Sequence, residues 1–131
     1  MIVLDTHVLV WWLGLPDKLS PKAKRRIDGA LSKNEILISS ISIWEIYLLV
    51  KRGRLKLTMD IDTWMERVEA LPFIRFVPVD NKIAAKSVSL PPPLHNDPAD
   101  RMIIATALQE NAVLITSDKR ILKYHYVQTL W

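Results

Sequence analysis

Short, continuous apolar runs that end in a carboxylate alternate with helix-like segments along this chain of 131 residues. The first run, Ile2 to Leu4, is followed directly by Asp5, and the run from 112 to 117 is closed by Asp118. Apolar runs this short and uninterrupted are typical of strands buried on both faces, as in parallel sheets covered by helices. The pattern predicts an α/β fold in which both carboxylates lie at the carboxyl edge of the sheet.

Capping residues, prolines and glycines mark the other element boundaries. Ser20-Pro21 and Asp97-Pro98 each place a cap residue before a proline, a usual helix start, and Gly53 marks a helix end. The predicted strands are 1–5, 35–39, 73–79, 113–117 and 126–130, and the predicted helices are 6–14, 20–33, 40–53, 61–71, 80–87, 97–111 and 118–123. Strands that alternate with helices predict a parallel sheet with helices on both faces.

Length and composition indicate one small domain. A chain of this length that is 50% hydrophobic suits one core, so we expect residues 1–131 to form a single domain. The absence of cysteine excludes disulfides and thiolate metal sites and is typical of a reducing cytosol. Asp5 and His7 interrupt the apolar N-terminus, which argues against a signal peptide or a membrane span. We therefore expect a cytoplasmic protein that does not bind membranes.

Positive charge outweighs negative charge, with 18 Lys and Arg against 14 Asp and Glu and a formal net charge of +4. The basic residues cluster in segments 22–26, 51–56 and 119–123. A basic body around an acidic pocket suits a polyanion whose cleavage needs a metal ion. Each cluster taken alone is also typical of a solvated helix face, so charge by itself does not decide between these two interpretations.

Four carboxylates are the candidate catalytic and metal-binding residues: Asp5, Glu45, Asp100 and Asp118. Glu45 carries a strong signal because its helical neighbours are apolar and no lysine or arginine lies within one turn. A carboxylate on such a stripe needs a partner. Converging carboxylates repel one another, and a cation relieves that repulsion. With oxygen ligands and no cysteine, the expected cation is Mg²⁺ or Mn²⁺, as one ion or two.

Asp97 and Asp100 open the same predicted helix but are predicted to have different roles. Asp97 precedes a proline and is the expected N-cap, with Arg101 four residues on as its ion-pair partner. Asp100 lies on the buried stripe at the positive end of that helix, which favours a place in the site. Asp5 and Asp118 can also be explained as helix caps, and only their shared sheet edge favours a site for them.

Hydroxyl groups and histidines flank the four carboxylates in the sequence. Threonine and serine hydroxyls beside a carboxylate can hold a water molecule of the metal, although strand ends often carry them without such a role. The residues expected to support the site are Thr6, Asp97, Arg101 and Thr116. His7 and His95 are isolated, and a lone histidine is more often a hydrogen-bonded structural residue than a ligand or base.

The chain has five tryptophans, which is many for its length. Trp11 and Trp12 are consecutive and point about 100° apart on a helix, so they cannot both lie at the centre of the core. The side chains expected to exceed what one core hides are Trp11, Trp12, Trp44, Tyr47, Trp64 and Met65. Exposed aromatic patches usually mark interfaces, so we expect a protein partner.

Four motifs, taken in order, resemble those of the PIN domain, and more narrowly of VapC-type toxin ribonucleases from toxin–antitoxin pairs. They are Ile2–His7, Ser40–Glu45, His95–Ala107 and Leu114–Asp118, and they span essentially the whole chain. The resemblance implies a three-layer α/β/α fold with strand order 3-2-1-4-5. It also implies Mg²⁺- or Mn²⁺-dependent cleavage of RNA, homodimerisation, and inhibition by a cognate antitoxin. The family's acidic residues fall on the four candidate carboxylates.

Two other classes of function stay open at this point. A metal-dependent phosphatase also places an aspartate after its first strand, but its usual second aspartate two residues on is His7 here. A non-catalytic module that binds RNA or protein would share the basic surface. Such a module has no need for Glu45 on an apolar stripe.

Overall fold

The computed structural model describes all 131 residues and has a five-stranded parallel sheet at its centre. In chain order the strands are β1 (Ile2–Leu4), β2 (Ile36–Ser39), β3 (Ile74–Val77), β4 (Val113–Ile115) and β5 (Thr129–Leu130). Across the sheet the order is β3-β2-β1-β4-β5, so the predicted order and parallel direction are confirmed. β1, which leads into Asp5, is therefore the central strand.

Seven α-helices connect the strands: α1 (Thr6–Gly14), α2 (Pro21–Leu31), α3 (Ser40–Lys51), α4 (Ile61–Glu69), α5 (Asn81–Ser89), α6 (Pro98–Gln109) and α7 (Lys119–Leu122). Caps fix where they begin: the Ser20 hydroxyl accepts a hydrogen bond from the Ala23 amide at 3.0 Å, and Asp97 accepts one from the Asp100 amide at 3.0 Å. Each cap satisfies a backbone donor that the first helical turn leaves unpaired. None of the helices has the length and apolar character that crossing a membrane requires.

The central strands bury both faces in two hydrophobic cores. Successive side chains of a strand point to opposite faces, so Ile2 and Leu4 pack into the first core and Val3 packs into the second. Side chains of α1 to α4 complete the first core, and side chains of α5 to α7 complete the second. The predicted placement of helices on both faces of the sheet is therefore confirmed.

Most element ends lie one or two residues from their predicted positions, and three larger details of the fold differ from the sequence-based predictions. β5 spans Thr129–Leu130 rather than 126–130, because the chain turns at residues 125–127 and buries Val127 in the second core. An unpredicted 3₁₀ turn, Pro16–Lys18, lies between α1 and α2. Trp64 is only 9% exposed and belongs to the first core, so its predicted place on an exposed surface is wrong. Trp44 and Tyr47 do remain exposed.

The carboxyl ends of β1, β2 and β4 open on one edge of the sheet, and helices begin there. Asp5 caps α1, Ser39 caps α3 and Asp118 caps α7 through side-chain oxygens. Asp5 and Asp118 are therefore both helix caps and neighbours on one edge of the sheet, so the two interpretations of these aspartates are compatible. This edge gathers helix N-termini together with carboxylates.

Candidate active site

The four predicted carboxylates line one cleft of about 440 Å³ at the carboxyl edge of the sheet. They come from four parts of the fold: Asp5 follows β1, Glu45 lies on α3, Asp100 lies in the first turn of α6, and Asp118 follows β4. The remaining residues that line the cleft are His7, Trp11, Asp97, Ser117 and Arg120. The parallel sheet thus brings together side chains that are far apart in the sequence.

Asp5 is the most deeply buried of the four, with 8% of its surface exposed. Its carboxylate oxygens accept hydrogen bonds from the Thr6 amide at 2.8 Å and the Thr116 hydroxyl at 2.7 Å. The Thr116 hydroxyl in turn accepts a hydrogen bond from the Asp118 amide at 3.1 Å, so it links the ends of β1 and β4. Burial raises the pKa of Asp5 above its ordinary value, against the opposing effect of the Thr116 hydrogen bond.

Glu45 is held by a pair of hydroxyl groups. The Thr6 hydroxyl donates to the Glu45 carboxylate and lies 3.0 Å from the fully buried Ser42 hydroxyl. Because a hydroxyl has one proton to donate, Ser42 donates to Thr6, and Thr6 donates to Glu45. Burial raises the pKa of Glu45, the Thr6 hydrogen bond lowers it and the charges of three neighbouring aspartates raise it again, with a net rise to about 7.

Asp100 pairs with His95, the histidine predicted to be structural. The His95 Nε2 atom lies 2.7 Å from Oδ2 of Asp100, while its Nδ1 atom is buried and has no hydrogen-bond partner. A neutral ring therefore carries its proton on Nε2 and donates it to Asp100, because a buried N–H on Nδ1 would be left unpaired. Burial raises the pKa of Asp100, and the His95 hydrogen bond offsets part of that rise.

Asp118 is the carboxylate that forms a close ion pair with an arginine. The Arg120 guanidinium donates to both of its oxygens, from Nη2 to Oδ2 at 3.0 Å and from Nε to Oδ1 at 3.3 Å. The Arg120 amide also donates to Oδ1, at 2.8 Å. Burial raises the pKa of Asp118, but the hydrogen bonds from Arg120 outweigh it and hold the pKa below its ordinary value. Asp118 alone among the four has a lowered pKa.

Asp97 and Arg101 do not form the predicted ion pair. Asp97 is exposed, caps α6 and lines the rim of the cleft. Arg101 instead donates to the backbone carbonyls of Ser87, His95 and Val88, at 2.8, 3.2 and 3.4 Å. The prediction of a pair with Asp97 is therefore wrong, because the end of α5 and the connector to α6 present carbonyls without helical partners and the guanidinium supplies their donors. Arg101 thereby fixes the backbone that carries His95.

Comparison with known proteins identifies the family. The family model described as "PIN domain" matches residues 2–125. The chain belongs to the PIN domain family. This PIN domain is 32% identical over 132 residues to Ribonuclease VapC22 from Mycobacterium tuberculosis, and the match covers 99% of this chain and 98% of that protein.

Solved structures share the fold. The PIN domain matches a chain in the crystal structure of FitAcB from Neisseria gonorrhoeae with a TM-score of 0.73 and 24% identity, over 100% of this chain and 97% of that one. It also matches a chain of a toxin–antitoxin complex from Klebsiella pneumoniae with a TM-score of 0.67 and 19% identity, over 100% and 97% of the two chains. At these identities the likeness shows a common fold.

His95 and Arg120 contact the carboxylates of the PIN-domain cleft and were not predicted as site residues. The potential ligand atoms of His95, Asp100 and Asp118 lie within 4.8 Å of one another, so His95 belongs to the same polar cluster as these two carboxylates. His95 lies outside α6, so no helical spacing relates it to Asp100. Arg120 belongs to a basic cluster that is also typical of a helix surface. Its position two residues after a strand-end carboxylate is the signal that could have placed it in the cleft.

Proposed function

We propose that this PIN domain is a metal-dependent endoribonuclease that hydrolyses RNA phosphodiester bonds as the cytoplasmic toxin of a type II toxin–antitoxin pair. Residues 1–131 form its single catalytic domain. The observation that carries the proposal is the convergence of Asp5, Glu45, Asp100 and Asp118 on one cleft. The 32% identical relative of matching length, a ribonuclease by name, supports RNA as the substrate.

The donor atoms of the cleft suit a hard divalent cation. Carboxylate oxygens are the ligands that Mg²⁺ and Mn²⁺ prefer. Burial raises the pKa values of Asp5, Glu45 and Asp100 in spite of the hydrogen bonds that each accepts, and neither Asp5 nor Glu45 has an ion-pair partner within the chain. Asp5, Asp100 and Asp118 hold the cation in this proposal, with Glu45 binding directly or through a water molecule.

When bound by these carboxylates, Mg²⁺ or Mn²⁺ would polarise the scissile phosphate, lower the pKa of a bound water molecule and stabilise the leaving oxygen. The chain's own contribution is to hold the ligands still. The Thr116 hydroxyl orients Asp5, the Thr6 hydroxyl orients Glu45, and His95 orients Asp100. Where Glu45 contacts the cation through a water molecule, its carboxylate is placed to take up the proton that this water loses as it attacks. Water is then the nucleophile, and no side-chain nucleophile is required.

Basic residues beside the carboxylates support a nucleic-acid substrate. Arg52 and Arg54 line a second hollow of about 270 Å³, which shares Glu45 and Asp97 with the acidic cleft. Arg120 lines the cleft itself. A phosphodiester chain that crosses this surface meets positive charge next to the carboxylates, as binding a polyanion requires.

An apolar groove beside the cleft supports an antitoxin partner. Its lining includes Trp44, Tyr47, Leu48, Val50 and Ile61, and it has a volume of about 320 Å³. Trp44 and Leu48 also line the hollow next to Glu45, so the groove leads towards the carboxylates. In this proposal an antitoxin segment lies in the groove and brings an arginine or similar cation to the carboxylates. That cation competes with the metal and inhibits cleavage.

The nuclease proposal is tested by incubating the purified protein with defined RNAs in Mn²⁺ and in EDTA. We expect cleavage by the wild type in Mn²⁺ only, and none by Asp100→Asn in either solution. Asp28→Asn is the matched control, because Asp28 is an exposed aspartate on α2 outside the cleft. Undiminished cleavage in EDTA, or by Asp100→Asn, contradicts the proposal.

The partner proposal includes a homodimer, which the exposed aromatic side chains Trp44 and Tyr47 of the apolar groove support. Light scattering of the purified protein measures self-association, and co-expression with the product of the neighbouring upstream gene measures antitoxin binding. We expect a dimer at tens of micromolar and a stable complex that Trp44→Ala weakens. If the protein stays monomeric and does not bind the product of the upstream gene, both the homodimer and the antitoxin complex are contradicted.

A further inference from the structure

Arg120 is the only lysine or arginine that lines the acidic cleft. Its Nη2 atom lies 3.0 Å from Oδ2 of Asp118 and 3.7 Å from Oδ2 of Asp100. The guanidinium therefore bridges two of the carboxylates that the proposed function assigns to the metal. It does not reach Asp5, whose oxygens are hydrogen-bonded to Thr6 and Thr116.

We propose that Arg120 is an internal counter-ion that offsets part of the negative charge of Asp100 and Asp118 in the metal-free cleft, leaves them when a divalent cation binds, and then contacts the scissile phosphate. The inference rests on the proposed function, which supplies the cation and the RNA. It gives the Arg120 side chain two roles, one as a counter-ion in the metal-free protein and one as a phosphate contact in the metal-bound protein.

Competition follows from the atoms involved. The guanidinium bonds the carboxylate oxygens of Asp118 that a cation needs, and two positive charges so close together repel. The Arg120 side chain is 60% exposed, so its ion pairs are of the weak surface kind and it can turn into solvent without disturbing the core. A divalent cation can therefore displace it.

The backbone keeps the released arginine beside the site. The Arg120 amide is hydrogen-bonded to Asp118, which anchors this residue within one side-chain length of the cleft. A planar guanidinium binds phosphate oxygens through two parallel hydrogen bonds, a geometry that lysine lacks. Once Arg120 leaves Asp118, an entering phosphodiester offers it such oxygens in the same cleft.

The first test measures Mn²⁺ binding by titration calorimetry without RNA. We expect Arg120→Gln to bind Mn²⁺ about 3- to 10-fold more tightly than the wild type, because both the competing ion pair and its repulsion are gone. Lys119→Gln is the matched control. It removes one positive charge from the same turn of α7, and Lys119 forms no ion pair with the carboxylates. We expect it to change the affinity by less than about 2-fold.

The second test measures RNA cleavage at saturating Mn²⁺. We expect Arg120→Gln to cleave about 10- to 100-fold more slowly despite its tighter Mn²⁺ binding, with partial recovery in Arg120→Lys and none of this loss in Lys119→Gln. Equal or weaker Mn²⁺ binding by Arg120→Gln overturns the counter-ion role, and undiminished cleavage overturns the phosphate contact. A wild type that binds no Mn²⁺ overturns the proposed function and, with it, the inference.

Discussion

Asp5 and Asp118 occupy equivalent places in the fold but have opposite electrostatic surroundings. Each follows a strand of the parallel sheet and caps the next helix. Both are hydrogen-bonded to the Thr116 hydroxyl, which donates to the Asp5 carboxylate and accepts from the Asp118 amide. Asp5 is buried among neutral donors and its pKa is raised, whereas Asp118 is paired with Arg120 and its pKa is lowered. The parallel sheet thus places both carboxylates at the same edge. The charged side chains beside each one determine whether its charge is already compensated within the chain.

The same contrast divides the whole cleft into an inner and an outer part. The inner part consists of Asp5, Glu45 and Asp100, whose pKa values are all raised, first of all by burial. The outer part consists of Asp118 and Arg120, which carry opposite charges and lie nearer to solvent. In the metal-free protein the inner carboxylates therefore reduce stability, while the outer pair does not.

The largest expected effect is on activity when an inner carboxylate loses its charge. Asp5→Asn should lower the rate of RNA cleavage by more than about 100-fold. Removing a residue that only hydrogen-bonds a metal ligand already lowers activity by up to about 100-fold, and removing a ligand itself should lower it more. The same change should raise the melting temperature of the metal-free protein by a few degrees, because an amide does not carry the burial cost of a charge.

Asp118→Asn provides the matched comparison for Asp5→Asn, with cleavage rates and thermal melts measured on both. We expect Asp118→Asn to lower cleavage as well, but to leave the melting temperature of the metal-free protein unchanged or lower, because it removes a charge that Arg120 compensates. An equal rise in melting temperature for both variants would remove the distinction between the inner and outer parts.

Metal binding should stabilise the inner part. With free Mg²⁺ at about 100 times its dissociation constant, the free energy of unfolding of the wild type should rise by about 2.7 kcal/mol. Asp5→Asn should lose most of that rise, and Asp28→Asn should keep it. Thermal melts in MgCl₂, compared with melts in KCl of the same ionic strength, measure the difference. A rise of equal size in Asp5→Asn would exclude Asp5 as a ligand.

The pH dependence of stability should also separate the two parts. The pKa of Glu45 rises from its ordinary 4.5 to about 7 on folding, so the folded protein binds this proton more tightly than the unfolded chain does. The resulting contribution to stability is complete below about pH 4.5 and is lost as the pH rises through about 7. Asp118, with its lowered pKa, contributes in the opposite direction: its stabilisation is present at neutral pH and is lost in acid.

Thermal melts in EDTA between about pH 5 and about pH 8 measure this dependence. We expect the melting temperature of the wild type to fall across that range, and Glu45→Gln to flatten the fall, because a glutamine side chain does not titrate. A fall of the same size in Glu45→Gln would assign the pH dependence to other groups.

Local signals in the sequence predicted the elements that hold the site. Cap residues before prolines located the starts of α2 and α6, and apolar runs located β1 and β4. These signals act within one turn or one strand, so nearby residues determine them. The strand order came from the resemblance to a family, and the structure confirms it.

The contacts of His95, Arg101 and Trp64 could not be predicted in this way, because they depend on how separate elements meet. The helical spacing of Arg101 favoured a pair with Asp97, but carbonyls at the end of α5 offered more acceptors. His95 reaches Asp100 from a connector without regular spacing. Trp64 is buried because α4 packs on the first core, and its sequence neighbours alone do not indicate that.

The smallest expected effect concerns Asp97, which lies at the rim of the cleft and belongs by position to neither part. Its side chain accepts a hydrogen bond from the Asp100 amide, as an N-cap does. Asp97→Ala should therefore lower the free energy of unfolding by about 1 kcal/mol, whereas Asp97→Ser should keep the cap and most of the activity.

Ser20→Ala is the matched control for Asp97→Ala, because Ser20 caps α2 ahead of a proline in the same way and lies outside the cleft. Urea unfolding and cleavage rates measured on these variants separate the two roles of Asp97. If it acts as a cap, Asp97→Ala and Ser20→Ala lose similar stability and both retain most of their activity. If Asp97→Ser is as inactive as Asp5→Asn while its stability is unchanged, Asp97 binds the metal, and the inner part of the cleft extends to its rim.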